Sequence, residues 1–169
     1  MTLALGLTKG EKMDFVVEKA TELGVQSIVP FTSSYAVPKF DEVKIAKRAE
    51  RWQKIALAAA KQCGRTQTPE ILPLRDYRKL INESRPRTVK LLFWEKEQHQ
   101  SLYECYGKQS AAEAVLLAIG PEGGFTAEEV ENARGQNFEL IHLGGRILRA
   151  ETAAVATIAL VQFLWGDLR

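Results

Sequence analysis

Two glycine-bearing stretches hold the residues whose types and spacing could do chemistry. The first is Ala118–Phe125, A-I-G-P-E-G-G-F, and the second is Leu143–Thr152, L-G-G-R-I-L-R-A-E-T. Gly120, Gly123 and Gly124 carry no side chains to keep a ligand away from backbone N–H and C=O groups, and Pro121 stiffens the turn between them. The second stretch adds Arg146, Arg149 and Glu151 beside Gly144. A strand followed by a glycine loop and a helix is a weak signal alone, because such glycines also serve as plain turn punctuation. Neither stretch reads G-x-x-x-x-G-K-[ST] or G-x-G-x-x-G, so the usual phosphate and dinucleotide readings lose their support.

The elements that must position these stretches are legible. Apolar runs at Ala114–Ile119 and Phe138–Leu143 read as buried strands, each ending in a glycine loop that opens a helix. In open α/β sheets, ligands sit beyond the carboxyl ends of the strands, so the two loops are expected to form one pocket. Val89–Trp94 reads as a third strand and would bring Glu95 to the same edge, either to bind a ligand's hydroxyls or to stand as a solvated charge. Thr126 and Glu129 have the spacing of a capping box, which starts a helix running to about Arg134. His99 and His142 lack partners at ligand spacing and read as a surface and a strand residue.

Upstream, Leu3–Leu7, Gly10–Leu23 and Val25–Phe31 read as strand, helix and strand, the βαβ pattern of a parallel sheet. A loop with Pro38 follows at Ser33–Lys39. Asp41 is placed to cap a helix over Glu42–Cys63 that Gly64 stops. Ile45, Ala49, Trp52, Ala56, Ala59 and Cys63 make its apolar seam, with Cys63 expected in the core. Lys44, Lys47, Arg48, Arg51, Lys54 and Lys61 fall largely on the other side, as a solvated face or a track for nucleic-acid phosphates. Glu70–Leu72 and Asp76–Ile81 read as a short extended piece and a short helix. Glu151–Trp165 is apolar nearly all round, so it must be buried on several sides, in part against a second copy.

Composition sets the frame. A chain of 169 residues, 46% hydrophobic and 26% charged, suits a single globular domain over residues 1–169. Residues 1–65 hold 11 Lys and Arg against 7 Asp and Glu, a net of +4, and the remainder holds 12 against 14, a net of −2. That asymmetry suggests a polyanionic partner for the first part. Two cysteines give neither a disulfide framework nor a metal site. No basic region followed by an apolar segment opens the chain, and Ala153–Trp165 is shorter than the ~20 residues of a membrane span. The expectation is a cytoplasmic protein without metal.

G-P-E-G-G-F-T (Gly120–Thr126) followed by L-G-x-R-I-L-R-A-E-T-A (Leu143–Ala153) resembles the RsmE family of ribosomal RNA methyltransferases, within the SPOUT superfamily. K-G-E-K-M-D (Lys9–Asp14), K-A-T-E-L-G-V (Lys19–Val25), the run Trp52–Arg65 and F-L-W-G-D-L (Phe163–Leu168) agree, so the resemblance spans nearly the whole chain. It implies an α/β fold, a mostly parallel sheet flanked by helices, with a C-terminal trefoil knot and a homodimer through the last helix. It implies S-adenosyl-L-methionine as cofactor and methyl transfer to N3 of a uridine in small-subunit ribosomal RNA. Family members usually also carry an N-terminal PUA-like RNA-binding domain, whereas Leu3–Lys9 already reads as the first strand of the catalytic domain. The cofactor is then expected against Phe93, Glu95, Ile119, Gly120, Pro121, Glu122, Gly123, Gly124, Leu143, Gly144, Ile147, Leu148, Arg149 and Thr152. Arg149, Arg65 and Glu151 are the expected catalytic residues. RNA is expected along Lys12, Lys47, Arg48, Arg51, Lys54, Gln62 and Arg65. A non-catalytic RNA-binding module would explain the basic stripe but not the paired loops, and an unrelated nucleotide enzyme would need a Lys-Ser/Thr pair that neither loop supplies.

Overall fold

The computed structural model describes residues 1–35, 41–82 and 87–168, the side chain of Glu42 excepted. In chain order they form β1 (Thr2–Gly6), α1 (Lys12–Glu22), β2 (Ser27–Thr32), α2 (Glu42–Cys63), β3 (Glu70–Ile71), β4 (Arg75–Asp76), α3 (Tyr77–Ile81), β5 (Thr88–Phe93), α4 (Leu102–Gln109), β6 (Ala114–Ile119), α5 (Ala127–Gly135), β7 (Phe138–Ile141) and α6 (Ala150–Trp165). The expected loop at Ser33–Lys39 lies partly outside the described residues, and Pro38 wholly so.

All the strands pair in parallel, in the order β3-β2-β1-β6-β5-β7, with β4 also pairing β2. Successive side chains on a strand point to opposite faces, and both faces here are apolar. Leu3, Leu5, Leu91, Phe93, Leu117 and Ile119 share one core with residues of α1, α2, α4 and α6. Ala4, Phe31, Leu92, Leu116 and Ala118 share the other with α3 and α5. The result is three layers, the arrangement that near-continuous apolar strands require.

The helices start and stop where local chemistry directs. The Asp41 side chain accepts from Val43 N, and Gly64 ends α2 in the left-handed conformation at φ 77°. Trp52 is buried in the α2 seam and donates Nε1–H to Asp14 Oδ1 of α1 at 3.0 Å. Thr126 and Glu129 form the expected capping box of α5.

Three features depart from the sequence reading. Cys63 is exposed rather than in the core, because the buried seam of α2 has shifted to Ala59 and Ala60 by its last turn. The short β4 and the helix α4 were not anticipated; α4 starts with a capping box between Ser101 and Glu104 but buries only Leu102 and Cys105. β7 stops at Ile141, two residues early, since His142 already begins the loop. The last helix is no such departure: α6 is buried along Ala154, Thr157, Ile158, Val161 and Gln162, while Leu160 and Phe163 are exposed. Within one chain the helix is covered on one side only.

Candidate active site

β6, β5 and β7 lie side by side, and the loops leaving their carboxyl ends enclose a cavity of about 430 Å³. From β5 come Phe93, Trp94 and Glu95; from β6, Ile119 through Phe125; from β7, Ile141 through Gly144 and Arg146 through Arg149; and from α6, Ala150 and Ala153. Of the residues expected to hold the cofactor, all but Thr152 line this one cavity. Thr152 is exposed, on a different face of α6 from Ala150 and Ala153, which reach the pocket. Arg149 lines the cavity as the residue before the first turn of α6, with no side-chain cap of its own. Lys12, Trp94, Phe125, Ile141, His142, Arg146, Ala150 and Ala153 line it too. The sequence reading missed them as pocket residues because it followed the glycines.

The first loop is fixed from below. A β-carbon at Gly6 would stand 2.5 Å from both Cδ and N of Pro121, closer than real side chains come, so the end of β1 must be bare for the loop to settle on it. Gly124 has φ 68°, and a β-carbon there would lie 3.2 Å from Glu95 Oε1. The Glu95 carboxylate is thus held against the loop. A β-carbon on Gly123 would meet Tyr35 Cβ at 2.8 Å. In the second loop, His142 Nδ1 accepts from Gly144 N at 3.0 Å, which folds the chain back over the strand end and gives that histidine a turn-forming role.

Lys12, Glu95, Glu122, Arg146 and Arg149 are the charged residues of the lining, and Lys12 joins two carboxylates. Glu122 Oε1 accepts from Lys9 N at 3.0 Å and from Lys12 Nζ at 3.1 Å. Lys12 Nζ also stands 3.9 Å from Glu151 Oε2. Burial pushes the Glu122 carboxyl up, but the Lys9 N–H, its own backbone N–H and the Lys12 ammonium outweigh it and hold the group below the usual carboxylate range. Glu151 Oε2 is buried without a hydrogen bond among the described residues. Glu151 does not line the cavity; it lies in the first turn of α6.

Arg65 is not brought to the site. Its Nη1 donates to Thr21 O at 2.7 Å and to Val25 O at 2.9 Å, at the amino edge of the sheet. The reason is topological: α2 leaves the carboxyl end of β2 and returns to where β3 pairs with Ser27 and Ile28. Arg65 therefore anchors the turn between α1 and β2, where two carbonyls already engage its guanidinium. Gln62 is exposed near the same end of α2. Lys47 and Lys54 are exposed along α2, and Arg48 is half-buried. Arg51 pairs with Asp14 and lies 3.7 Å from Glu11.

The cavity suits an adenosyl cofactor. Its volume falls in the range of small-molecule sites, about 300–1,000 Å³. Ile119, Leu143, Ile147 and Leu148 supply an apolar lining and the glycine loop supplies uncovered amides and carbonyls. Trp94 also lines it, and the buried indole Nε1–H has no acceptor among the described residues. No group of His, Cys, Asp and Glu suited to a metal ion occurs among the described residues.

Comparison with known proteins agrees with the geometry. The family model of the RNA methyltransferase domain matches residues 1–162. Ribosomal RNA small subunit methyltransferase E of Bacillus subtilis is 32% identical over 171 aligned residues, covering 99% of this chain and 67% of the relative. The protein of the same description from Mesomycoplasma hyopneumoniae is 35% identical, covering 92% of this chain and 66% of the relative. The crystal structure of ribosomal RNA small subunit methyltransferase E from Neisseria gonorrhoeae bound to S-adenosyl methionine superposes with a TM-score of 0.91 at 36% identity, over 99% of this chain and 67% of that one. The chain thus spans about two thirds of the length of these relatives. It belongs to the RNA methyltransferase domain family, among the ribosomal RNA small subunit methyltransferase E proteins.

Proposed function

We propose that this chain is an S-adenosyl-L-methionine-dependent methyltransferase domain over residues 1–169 that methylates N3 of a uridine in small-subunit (16S) ribosomal RNA. The observation that carries this reading is the single cavity shared by the loops after β5, β6 and β7, with side-chain-poor backbone on one wall and apolar side chains on another. When bound, the cofactor supplies a sulfonium-activated methyl group, so the reaction needs alignment and loss of the acceptor's proton. Alignment of two reactants can contribute roughly 7–11 kcal/mol of the barrier.

The chain's own residues divide that work. The glycine loop and Glu95 hold the donor from one side; Leu143, Ile147 and Leu148 hold it from the other. Arg149, together with the positive end of α6, faces the pocket and favours the imide anion that develops as N3 gives up its proton. Glu151, in the same first turn but outside the cavity lining, takes that proton through water. The exposed Lys47 and Lys54, with the neighbouring Arg48 and Arg51, attract RNA phosphates without reading sequence. A ribosomal RNA substrate supports a cytoplasmic location.

Two further properties belong to the reading. Val155, Ala156, Ala159, Leu160 and Phe163 fall on one face of α6 at helical spacing and are half-buried or exposed, which suits burial against the same helix of a second copy. The chain after β7 threads the preceding segment as a trefoil knot, as the family's fold implies. The test is transfer of labelled methyl from S-adenosylmethionine to unmodified small ribosomal subunits or their RNA, followed by mapping of the base. Label at uridine N3 supports the reading. A folded, cofactor-binding protein that labels no RNA opposes it.

A further inference from the structure

Lys12 was grouped with the RNA-facing cations, yet its surroundings are those of a residue inside the site. It opens α1, lines the cavity, and only 36% of its side chain is exposed. Its ammonium contacts one carboxylate from each half of the pocket: Glu122 of the β6 loop at 3.1 Å and Glu151 of α6 at 3.9 Å. Both are far from it in sequence. The neighbouring Lys9 N–H binds the same Glu122 oxygen, so the segment after β1 grips the first loop through main chain and side chain together. On the other side, Glu151 keeps a buried oxygen with no hydrogen bond. A buried carboxylate is costly unless a cation balances it, and Lys12 is the cation the structure records beside it.

We propose that Lys12 is a positioning residue of the cofactor pocket: it draws the β6 loop and the start of α6 together through Glu122 and Glu151, and does not serve as an RNA phosphate contact. This rests on the methyltransferase reading for its consequence, since cofactor affinity depends on both walls being held at once. The tether itself is a property of the protein without ligand. With one cation shared by two carboxylates, a neutral side chain of similar length at position 12 would leave each wall presenting an unbalanced acid to the other.

Hydrogen exchange of the unliganded protein tests the tether, and calorimetric titration with S-adenosylmethionine tests its consequence. Lys12→Met should speed exchange at Gly123 and Gly124 and also at Leu148 and Arg149, whereas Lys12→Arg should restore both. The same Met variant should bind the cofactor about fivefold more weakly, the scale of a partly screened ion-pair network, with Glu122→Gln giving a similar loss and the double variant little more. Unchanged exchange in both loops overturns the proposal, as does a Met variant with full cofactor affinity but weaker, less salt-dependent RNA binding. Should the parent protein bind no cofactor, the functional reading fails while the exchange result still decides the tether.

Discussion

Gly6 and Pro121 are in direct contact: a β-carbon at Gly6 would lie 2.5 Å from Pro121 Cδ and 2.9 Å from the carbonyl carbon of Gly120. The end of β1 is therefore a seat for the loop that follows β6, its neighbour in the sheet. The atoms in the way are backbone and a rigid ring, so neither can swing aside.

Gly6→Ala should displace that loop. Overpacking of this kind costs about 1–3 kcal/mol, and the change should lower the melting temperature and weaken S-adenosylmethionine binding together. Thermal denaturation and calorimetric titration of the same preparation check it; a variant unchanged in both would mean the loop settles elsewhere.

Arg65→Met should cost stability rather than cofactor binding. It removes donors to the carbonyls of Thr21 and Val25, and a charge-assisted hydrogen bond contributes about 1.5–3 kcal/mol, less here because the side chain is part-exposed. Urea denaturation should report the loss, with cofactor affinity unchanged. A drop in affinity at full stability would restore Arg65 to the site.

That reversal shows what the sequence could and could not convey. The longer strands were readable because β1, β2, β5, β6 and β7 are largely apolar runs, and the glycines of the two loops marked the ends of β6 and β7. The direction of α2 was not readable: Q-C-G-R at a helix end has the chemistry of a substrate contact, and only the parallel return to β3 sends it to the far edge of the sheet. The pairing of Lys12 with Glu122 and Glu151 was not readable for a related reason, since those carboxylates lie on other elements, more than half the chain away. The helix α4 was overlooked because Gly107 and its polar positions blur the 3.6-residue period, although Ser101 and Glu104 had the spacing of a capping box all along.

The acid limb of stability should carry a contribution from Glu122. Its carboxyl is held below the usual range in the fold, so the stabilisation is present above the ordinary carboxylate pKa and is lost as pH falls through the lowered folded value. Melting temperatures measured from neutral pH down into that range should fall less steeply for Glu122→Gln than for the parent. Parallel curves would show that the Lys9 and Lys12 contacts do not persist in solution.

The two thiols should differ sharply in reactivity. Cys63 is exposed and Cys105 buried, and burial pushes the Cys105 thiol up to about 11, so it carries almost no thiolate at neutral pH. A chromogenic disulfide reagent should modify Cys63 quickly and Cys105 only on unfolding. Rapid release of both would mean that the packing of α4 against the sheet is looser than described.

The most direct test of the shared pocket is calorimetric titration of S-adenosylmethionine into the protein and into one variant from each wall, Gly120→Val and Leu148→Asp. If the two loops hold one cofactor between them, the parent binds it in a single saturable step and each variant, still folded by circular dichroism, loses that step. A folded parent that takes up no S-adenosylmethionine, or full binding retained in both variants, would contradict the account.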